Sequence, residues 1–522
     1  MYEKEYVRGS ILDRNGNTIA FSQKPGGTRT YSHPYAFSNL VGYWSKIYGT
    51  YGVEKTMNDV LVHSDCGNRD QEKRGADVTL TIDAALQEQA YKDIKKYKGS
   101  VVVMNAKTGE LLALASSPTF NVTEIEEKWK EINEKEGVFF SNAYQNPVAP
   151  GSVFKLITSK EIIEAGIEKE EVEDTGSLKV NGQTIRNYGG KAYGSIAYRE
   201  GFVKSSNVYF MNRALKLGGL RLYKTGRSFL LGEDISLDFA TLHSNFDLKD
   251  YEDNIVATTA FGQGETLVTP LQMAMITQSI ANDGEMLKPY LFKSVVNGKG
   301  KTTQEGKTEK LVKTMDVDTA EEIKEVMKEA GESYGLSEVG EQGYSIAAKT
   351  GTAERGDGTN NAWLVTFAPV DDPQYIIVAN RLKTTEIGKT LAPVVEDLYD
   401  TLFDHEEKFT KRQRFRGMIA RFKKHIYRKR KRFLKRIRLL FCCLFFLFKK
   451  SMEKERKLLN QHLLSFKIRR KIIRKAERIW RIWVIQKVIT VSKIQKGDHP
   501  ILIHCSYEKI GRMKIGIENT VF

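Results

Sequence analysis

Apolar and polar positions along this chain fall into a small number of readable segments. Ser10-Ile11-Leu12-Asp13-Arg14 and Asn17-Thr18-Ile19-Ala20-Phe21 flank Asn15-Gly16, a pair that favours the left-handed angles of a two-residue turn, and so predict a β-hairpin. From there to about Ala76 the chain is aromatic, polar and glycine-rich, which predicts a small irregular module. A denser pattern begins at Val78-Thr79-Leu80-Thr81-Ile82, a predicted strand, followed by Asp83 placed to cap a helix through Ala90. The runs Val101-Val102-Val103-Met104 and Leu111-Leu112-Ala113-Leu114 predict two strands joined by a turn. After Ala149-Pro150-Gly151, the run from Ser152 through Ile157 and on to Ala165-Gly166 predicts a buried helix with Ser152 in its first turn. Tyr344-Ser345-Ile346-Ala347-Ala348 and Ala362-Trp363-Leu364-Val365-Thr366-Phe367 predict two more strands across a polar loop. Helix and strand signals mix without strict alternation through Asp404, which favours an α+β fold over a parallel βαβ array. The expected organisation is a module over 1–76, a main domain over 77–404 and a tail over 405–522.

Charge sharpens the last boundary. The 522 residues carry a formal net charge of +16, but residues 405–522 hold 35 Lys and Arg against 8 Asp and Glu, while the first 404 hold 46 against 57. A basic total therefore hides an acidic body. Runs such as Arg428-Lys429-Arg430-Lys431-Arg432 are solvated or bind polyanions, and a basic amphipathic membrane-surface helix is an equal reading. A translated extension of no evolved function is a third. No nucleic-acid fold signature accompanies them, and no nucleic-acid partner is expected. Cys66, Cys442, Cys443 and Cys505 form neither a disulfide framework nor a zinc spacing, and the eight histidines include no H-E-x-x-H pair, so the expected chemistry uses no metal and no cofactor. The longest apolar run, Leu439 to Phe448, is about half the roughly 20 residues needed to span a bilayer, and the charged first residues do not read as a signal peptide.

Candidate chemistry comes from three short motifs in order: Ser152-Val153-Phe154-Lys155, Ser205-Ser206-Asn207 and Lys349-Thr350-Gly351-Thr352. Each has decoys. S-x-x-K recurs at Ser451 and Ser506, in charged or irregular surroundings, and reads there as chance; K-T-G recurs at Lys107, as a hairpin turn, and at Lys224, as a helix-end cap. A serine hydroxyl needs a base within reach, and Lys155, three residues on, shares a helix face with Ser152. Burial and the neighbouring charge of Lys349 favour the neutral amine that a base requires. Ser205 is placed to relay a proton between the amines, and the backbone amides of Ser152 and Thr352 to bind an oxyanion. Ala347, Ala348 and Gly351 leave room for a peptide along the strand, Lys349, Thr350 and Thr352 suit a carboxylate, and the Asn207 amide suits a peptide bond.

S-x-x-K, S-x-N and K-T-G in this order are the signature of serine β-lactamases and penicillin-binding proteins. The chain resembles the class B penicillin-binding proteins, the monofunctional peptidoglycan D,D-transpeptidases, including their penicillin-binding protein A-like members. Arg8-Gly9-Ser10-Ile11-Leu12-Asp13-Arg14-Asn15-Gly16 looks like the opening of their N-terminal module. Gly262-Gln263-Gly264, Thr269-Pro270-Leu271-Gln272-Met273-Ala274 and Ala281-Asn282-Asp283-Gly284 match the stretch between their second and third motifs. The resemblance implies an antiparallel sheet flanked by helices and an acyl-enzyme at Ser152, formed with stem peptides or with β-lactam antibiotics. It also implies placement on the outer face of the bacterial cell membrane, a membrane anchor that this chain starts too late to contain, and partners among cell-wall synthesis proteins such as a glycosyltransferase. Membrane or anionic polymers are expected partners for the tail alone. The rivals are a D,D-carboxypeptidase or β-lactamase using the same acyl-enzyme and, from another class, an inactive cell-wall scaffold or a polyanion binder acting through the tail.

Overall fold

A computed structural model describes residues 6–63, 73–248 and 252–403, apart from 337 and 341, together with two short paired strands, Ile503–His504 and Gly516–Ile517. The four cysteines, the S-x-x-K copies at Ser451 and Ser506 and the remainder of the basic tail lie outside the described residues.

Strands β1 (Ile11–Leu12), β2 (Thr18–Ser22) and β3 (Arg29–Tyr31) open the chain, and β4 (Asp77–Leu80) leads into helix α1 (Ala84–Ile94). The Asp83 carboxylate accepts from the amides of Ala85 and Leu86, the expected cap. β5 (Gly99–Asn105) and β6 (Leu111–Ser117) form a hairpin around Lys107-Thr108-Gly109, with Gly109 at φ +79. Helix α2 (Lys155–Glu164) precedes the short strands β7 (Val172–Asp174), β8 (Ser177–Val180), β9 (Gln183–Arg186) and β10 (Gly194–Ile196). Helices α3 (Asn207–Leu217), α4 (Gly219–Ser228) and α5 (Pro270–Ala281) come next, then β11 (Phe292–Val296), β12 (Thr302–Glu305) and α6 (Val317–Tyr334). β13 (Ala347–Glu354), β14 (Asn360–Ala368) and β15 (Tyr375–Thr384) complete the main sheet.

That sheet is antiparallel, in the order β13-β14-β15-β5-β6, with β13 at one edge. Alternate side chains serve two cores, as the two-residue period of a strand requires. Val102, Met104, Trp363, Val365, Ile376 and Val378 pack into a core shared with α2 and α5, while Val101, Val103, Leu364, Ile377 and Ala379 pack with α1 and the helical residues 392–403. Coverage on both faces explains why these strands read as unbroken apolar runs, and every residue of α5 is buried for the same reason. The architecture is the expected α+β arrangement of an antiparallel sheet flanked by helices.

A second sheet, β12-β11-β4-β1-β2-β3, takes strands from before and after residue 76, with β1 and β4 parallel. Beside it, the buried Glu54 carboxylate receives Nε of both Arg8 and Arg29 at 2.7 Å. Two expectations need correction. The β1–β2 hairpin exists, but Asn15-Gly16 is not a two-residue turn: only Gly16 has positive φ, and the Asp13 carboxylate accepts from the amides of Asn15 and Asn17 to close a longer loop. Gly226 of the Lys224 copy is not a cap. It lies within α4, where a Cβ would stand 2.3 Å from the Phe246 ring, so the missing side chain serves packing.

Candidate active site

Ser152 is carried on a 3₁₀ turn, Gly151–Phe154, that runs directly into α2. The helical start expected there is present, with the tighter winding common at helix N-termini. Gly151 has φ +58, and its amide donates to the Gly262 carbonyl at 2.8 Å. Pro150 and Gly151 lie against β13: a Cβ at Gly351 would come 2.8 Å from the Pro150 carbonyl oxygen, and one at Gly151 would come 3.1 Å from Thr352. The serine turn is thereby held beneath the edge strand.

Lys155 is fully buried. Its Nζ lies 3.0 Å from Ser152 Oγ, 2.7 Å from the Ser205 carbonyl oxygen, 3.2 Å from Ser205 Oγ and 2.9 Å from Asn207 Oδ1. Burial holds its pKa well below the ordinary lysine value, the charge of Lys349 adds to the depression, and Asp174 opposes it. A neutral amine fits this shell: two N–H bonds reach the Ser205 carbonyl and Asn207 Oδ1, and the lone pair is left for the Ser152 hydroxyl. Lys349, also fully buried, donates from Nζ to Ser205 Oγ at 2.9 Å and to Tyr334 Oη at 3.3 Å. Ser152, Lys155, Ser205 and Lys349 thus form one continuous chain of hydrogen bonds.

Ser205 adopts φ +55, a left-handed conformation uncommon for serine, and the Ser206 hydroxyl accepts from the Tyr209 amide to cap α3. Asn207 is occupied at both ends, since Oδ1 accepts from Lys155 and Nδ2 donates to the Arg186 carbonyl at 3.0 Å. Nδ2 keeps a second hydrogen, and the side chain lines the groove beside Ser152 and Thr352. The small residues of β13 differ from expectation. Ala347 and Ala348 are buried in the two cores, and Gly351 makes room for Pro150 and Val153. Thr350 and Thr352 are half-buried and line a groove of about 900 Å³ with Ser152, Ser205, Asn207 and Tyr334. Its rim carries Arg186, Lys191, Lys204 and Lys389 against Glu354. Tyr334, at the last position of α6, belongs to no motif and had no sequence signal beyond ending an amphipathic helix before Gly335. Among the described residues no group of three or more His, Cys, Asp or Glu side chains is arranged to hold a metal ion, and no helix is long and apolar enough to cross a membrane.

A serine beside a buried lysine, beneath the edge strand of a helix-flanked antiparallel sheet, defines a class of acyl-transferring serine enzymes. The family model for the penicillin binding protein transpeptidase domain matches residues 99–400, and that for the penicillin binding protein A dimerisation domain matches residues 8–72. The chain belongs to the penicillin-binding protein transpeptidase family. It is 26% identical over 430 residues to the peptidoglycan D,D-transpeptidase PbpA of Mycolicibacterium smegmatis, covering 74% of this chain and 87% of that one. The ceftriaxone acyl-enzyme complex of penicillin-binding protein A from M. tuberculosis superposes with a TM-score of 0.71 at 25% identity, covering 76% of this chain and 98% of that one. The D,D-transpeptidase domain of a peptidoglycan glycosyltransferase from Eggerthella lenta gives the same TM-score at 28% identity, covering 77% and 99%.

Proposed function

We propose that this protein is a peptidoglycan D,D-transpeptidase that cross-links stem peptides through an acyl-enzyme at Ser152 and is acylated by β-lactams at the same atom. The observation that carries the reading is the hydrogen-bond chain from Ser152 through Lys155 and Ser205 to Lys349. Ser152 Oγ attacks the carbonyl of the penultimate D-Ala while its proton passes to Lys155 Nζ. The backbone amides of Ser152 and Thr352 hold the developing oxyanion, a role supported by the contact between the serine turn and β13. Collapse breaks the peptide C–N bond; Ser205 delivers its proton to the departing D-Ala amine and takes in exchange the one held by Lys155, which is left neutral. An amine of a second stem peptide then attacks the ester, gives up its proton to Lys155, and the C–O bond breaks as Ser152 recovers its own. In a β-lactam the broken C–N bond lies in a ring, so the amine stays tethered and the ester persists.

Lys349 with Thr350 and Thr352 receives the terminal carboxylate, and Gly351 keeps the strand close to the serine turn. In this reading 1–76 is a non-catalytic module, 77–404 the catalytic domain and 405–522 a basic extension, a division supported by the separate family matches over 8–72 and 99–400. The catalytic domain works on the outer face of the cell membrane, alongside other cell-wall synthesis proteins such as a glycosyltransferase. Labelling with a fluorescent penicillin tests the reading: the wild type takes up one label per chain and Ser152→Ala takes up none. A labelled Ser152→Ala protein overturns it, and multiple-turnover hydrolysis of the drug would make the enzyme a β-lactamase.

A further inference from the structure

Two buried residues that belong to no motif build the turn on which the second motif is presented. Asp174, at the end of β7, has no exposed surface, and Asn187, just beyond β9, is 3% exposed. The Asp174 carboxylate accepts from three groups: the Gly176 amide at 2.8 Å, Asn187 Nδ2 at 2.9 and 2.8 Å on its two oxygens, and the Ser206 hydroxyl at 2.5 Å. Asn187 Oδ1 in turn accepts from the amides of Asn207 at 2.7 Å and Val208 at 3.0 Å, while Nδ2 also donates to the Lys191 carbonyl. With Ser206 Oγ accepting from the Tyr209 amide at 2.9 Å, the first three amides of α3 are all satisfied through this pair. A helix start buried beside two lysines has little water to turn to, so these acceptors decide where it lies.

The residues flanking Ser206 are those that touch Lys155. Ser205 offers both its carbonyl and its hydroxyl, and Asn207 offers Oδ1. Ser205 does so at φ +55, a conformation that persists only where its surroundings over-determine it. Asp174 and Asn187 supply that constraint through Ser206 and the amides of Asn207 and Val208. We propose that Asp174 and Asn187 are positioning residues for acyl transfer: they hold the Ser205-Ser206-Asn207 turn against Lys155, and Asp174 sets a negative charge near that amine. The proposal rests on Lys155 being the base that activates Ser152.

The charge has a sign that geometry alone would not produce. The titratable groups facing Lys155 are Lys349 on β13, which disfavours its charged form, and Asp174 on β7, which favours it; α3 contributes the Phe210 ring, 5.4 Å from Nζ, and Tyr334 of α6 bonds to Lys349. Removing the carboxylate charge therefore makes Lys155 release its proton more readily. The test is the second-order rate of acylation by a fluorescent penicillin across pH, with melting temperature measured on the same samples. Asp174→Asn is expected to lower the plateau about 10 to 100-fold and to move the acid limb to lower pH, whereas Asn187→Ala lowers the plateau with the limb unmoved. A folded Asp174→Asn protein with a wild-type plateau or an unshifted limb overturns the proposal. Should that variant not fold, a folded Asn187→Ala protein acylated at the wild-type rate overturns it equally. Failure of the wild type to label, by contrast, would strike the transpeptidase reading itself.

Discussion

Lys349 Nζ donates to Ser205 Oγ at 2.9 Å across a separation of 144 residues, joining the edge strand of the sheet to the turn before α3. The same hydroxyl lies 3.2 Å from Lys155 Nζ, so two amines share one small relay. The arrangement has a direct electrostatic consequence, because the Lys349 charge is one cause of the depressed pKa of Lys155. Lys349→Ala should raise the pKa of Lys155, and the acid limb of the acylation profile should move to higher pH. The rate at neutral pH should fall roughly 100 to 10,000-fold, the range expected for loss of acid–base assistance. A stopped-flow profile with its limb unmoved would show that the two amines are not coupled.

Glu161 makes a second pH prediction, with the opposite readout. It lies on α2 two turns beyond Lys155, is 1% exposed, and neither carboxylate oxygen has a hydrogen-bond partner among the described residues. Burial raises its pKa from 4.5 to about 8 against the pull of Arg221 and Lys160. Between those values the folded protein holds a proton that the unfolded chain has released. The stability from this group is complete below pH 4.5 and is lost as pH rises through about 8. Glu161→Gln keeps the shape without the titration, so it should stabilise relative to wild type by roughly 2 to 4 kcal/mol at pH 8.5 and much less at pH 5. Parallel melting curves for the two proteins at both pH values would refute the raised pKa.

What the chain disclosed in advance was local. The β5–β6 hairpin, the Asp83 cap, the helical start at Ser152 and the strand carrying Lys349 each announce themselves within about ten residues, through periodicity or a capping side chain. The three motifs point to Ser152, Lys155, Ser205, Asn207 and Lys349, and the structure brings all five side chains into one bonded cluster. Asp174 and Asn187 were invisible because β7 has three residues and β9 four, too short for a period to register, and their bonds to α3 span 20 residues or more. The second sheet was hidden for the same reason, since β1 has only two residues and β4 pairs with β11 more than two hundred positions away. The bond from Asn207 Nδ2 to the Arg186 carbonyl was equally hidden, since a backbone carbonyl has no sequence signature.

Gly262 should prove as sensitive as the serine turn it supports. It has φ +75, its carbonyl accepts from the Gly151 amide, and a Cβ would meet the Gly151 oxygen at 2.1 Å and Phe154 Cβ at 2.7 Å. An alanine there has both a disfavoured backbone and no space, and the displaced group is the residue before the nucleophile. Gly262→Ala is expected to cost about 2 to 4 kcal/mol of stability and to slow acylation at temperatures where the protein remains folded. Unchanged acylation and unchanged melting together would mean that the turn is not held by this contact.

The catalytic body should be separable from the basic extension, and the structure says where to cut. Helical residues 392–403 bury Val394, Val395, Leu398, Tyr399, Leu402 and Phe403 against the sheet. A break at about 390 removes this layer and should yield unfolded protein, because it exposes one face of the central strands. A break after Asp404 leaves both cores whole. The family match ends at 400, and 76% of this chain covers 98% of the M. tuberculosis structure. Residues 1–404 should therefore be acylated at a rate within about twofold of the full chain, as for a domain with its own complete core. With 35 Lys and Arg removed against 8 Asp and Glu, any salt-sensitive retention of the full chain on a heparin column should disappear from the truncated protein. Loss of acylation in the 1–404 protein would place part of the catalytic fold within the extension.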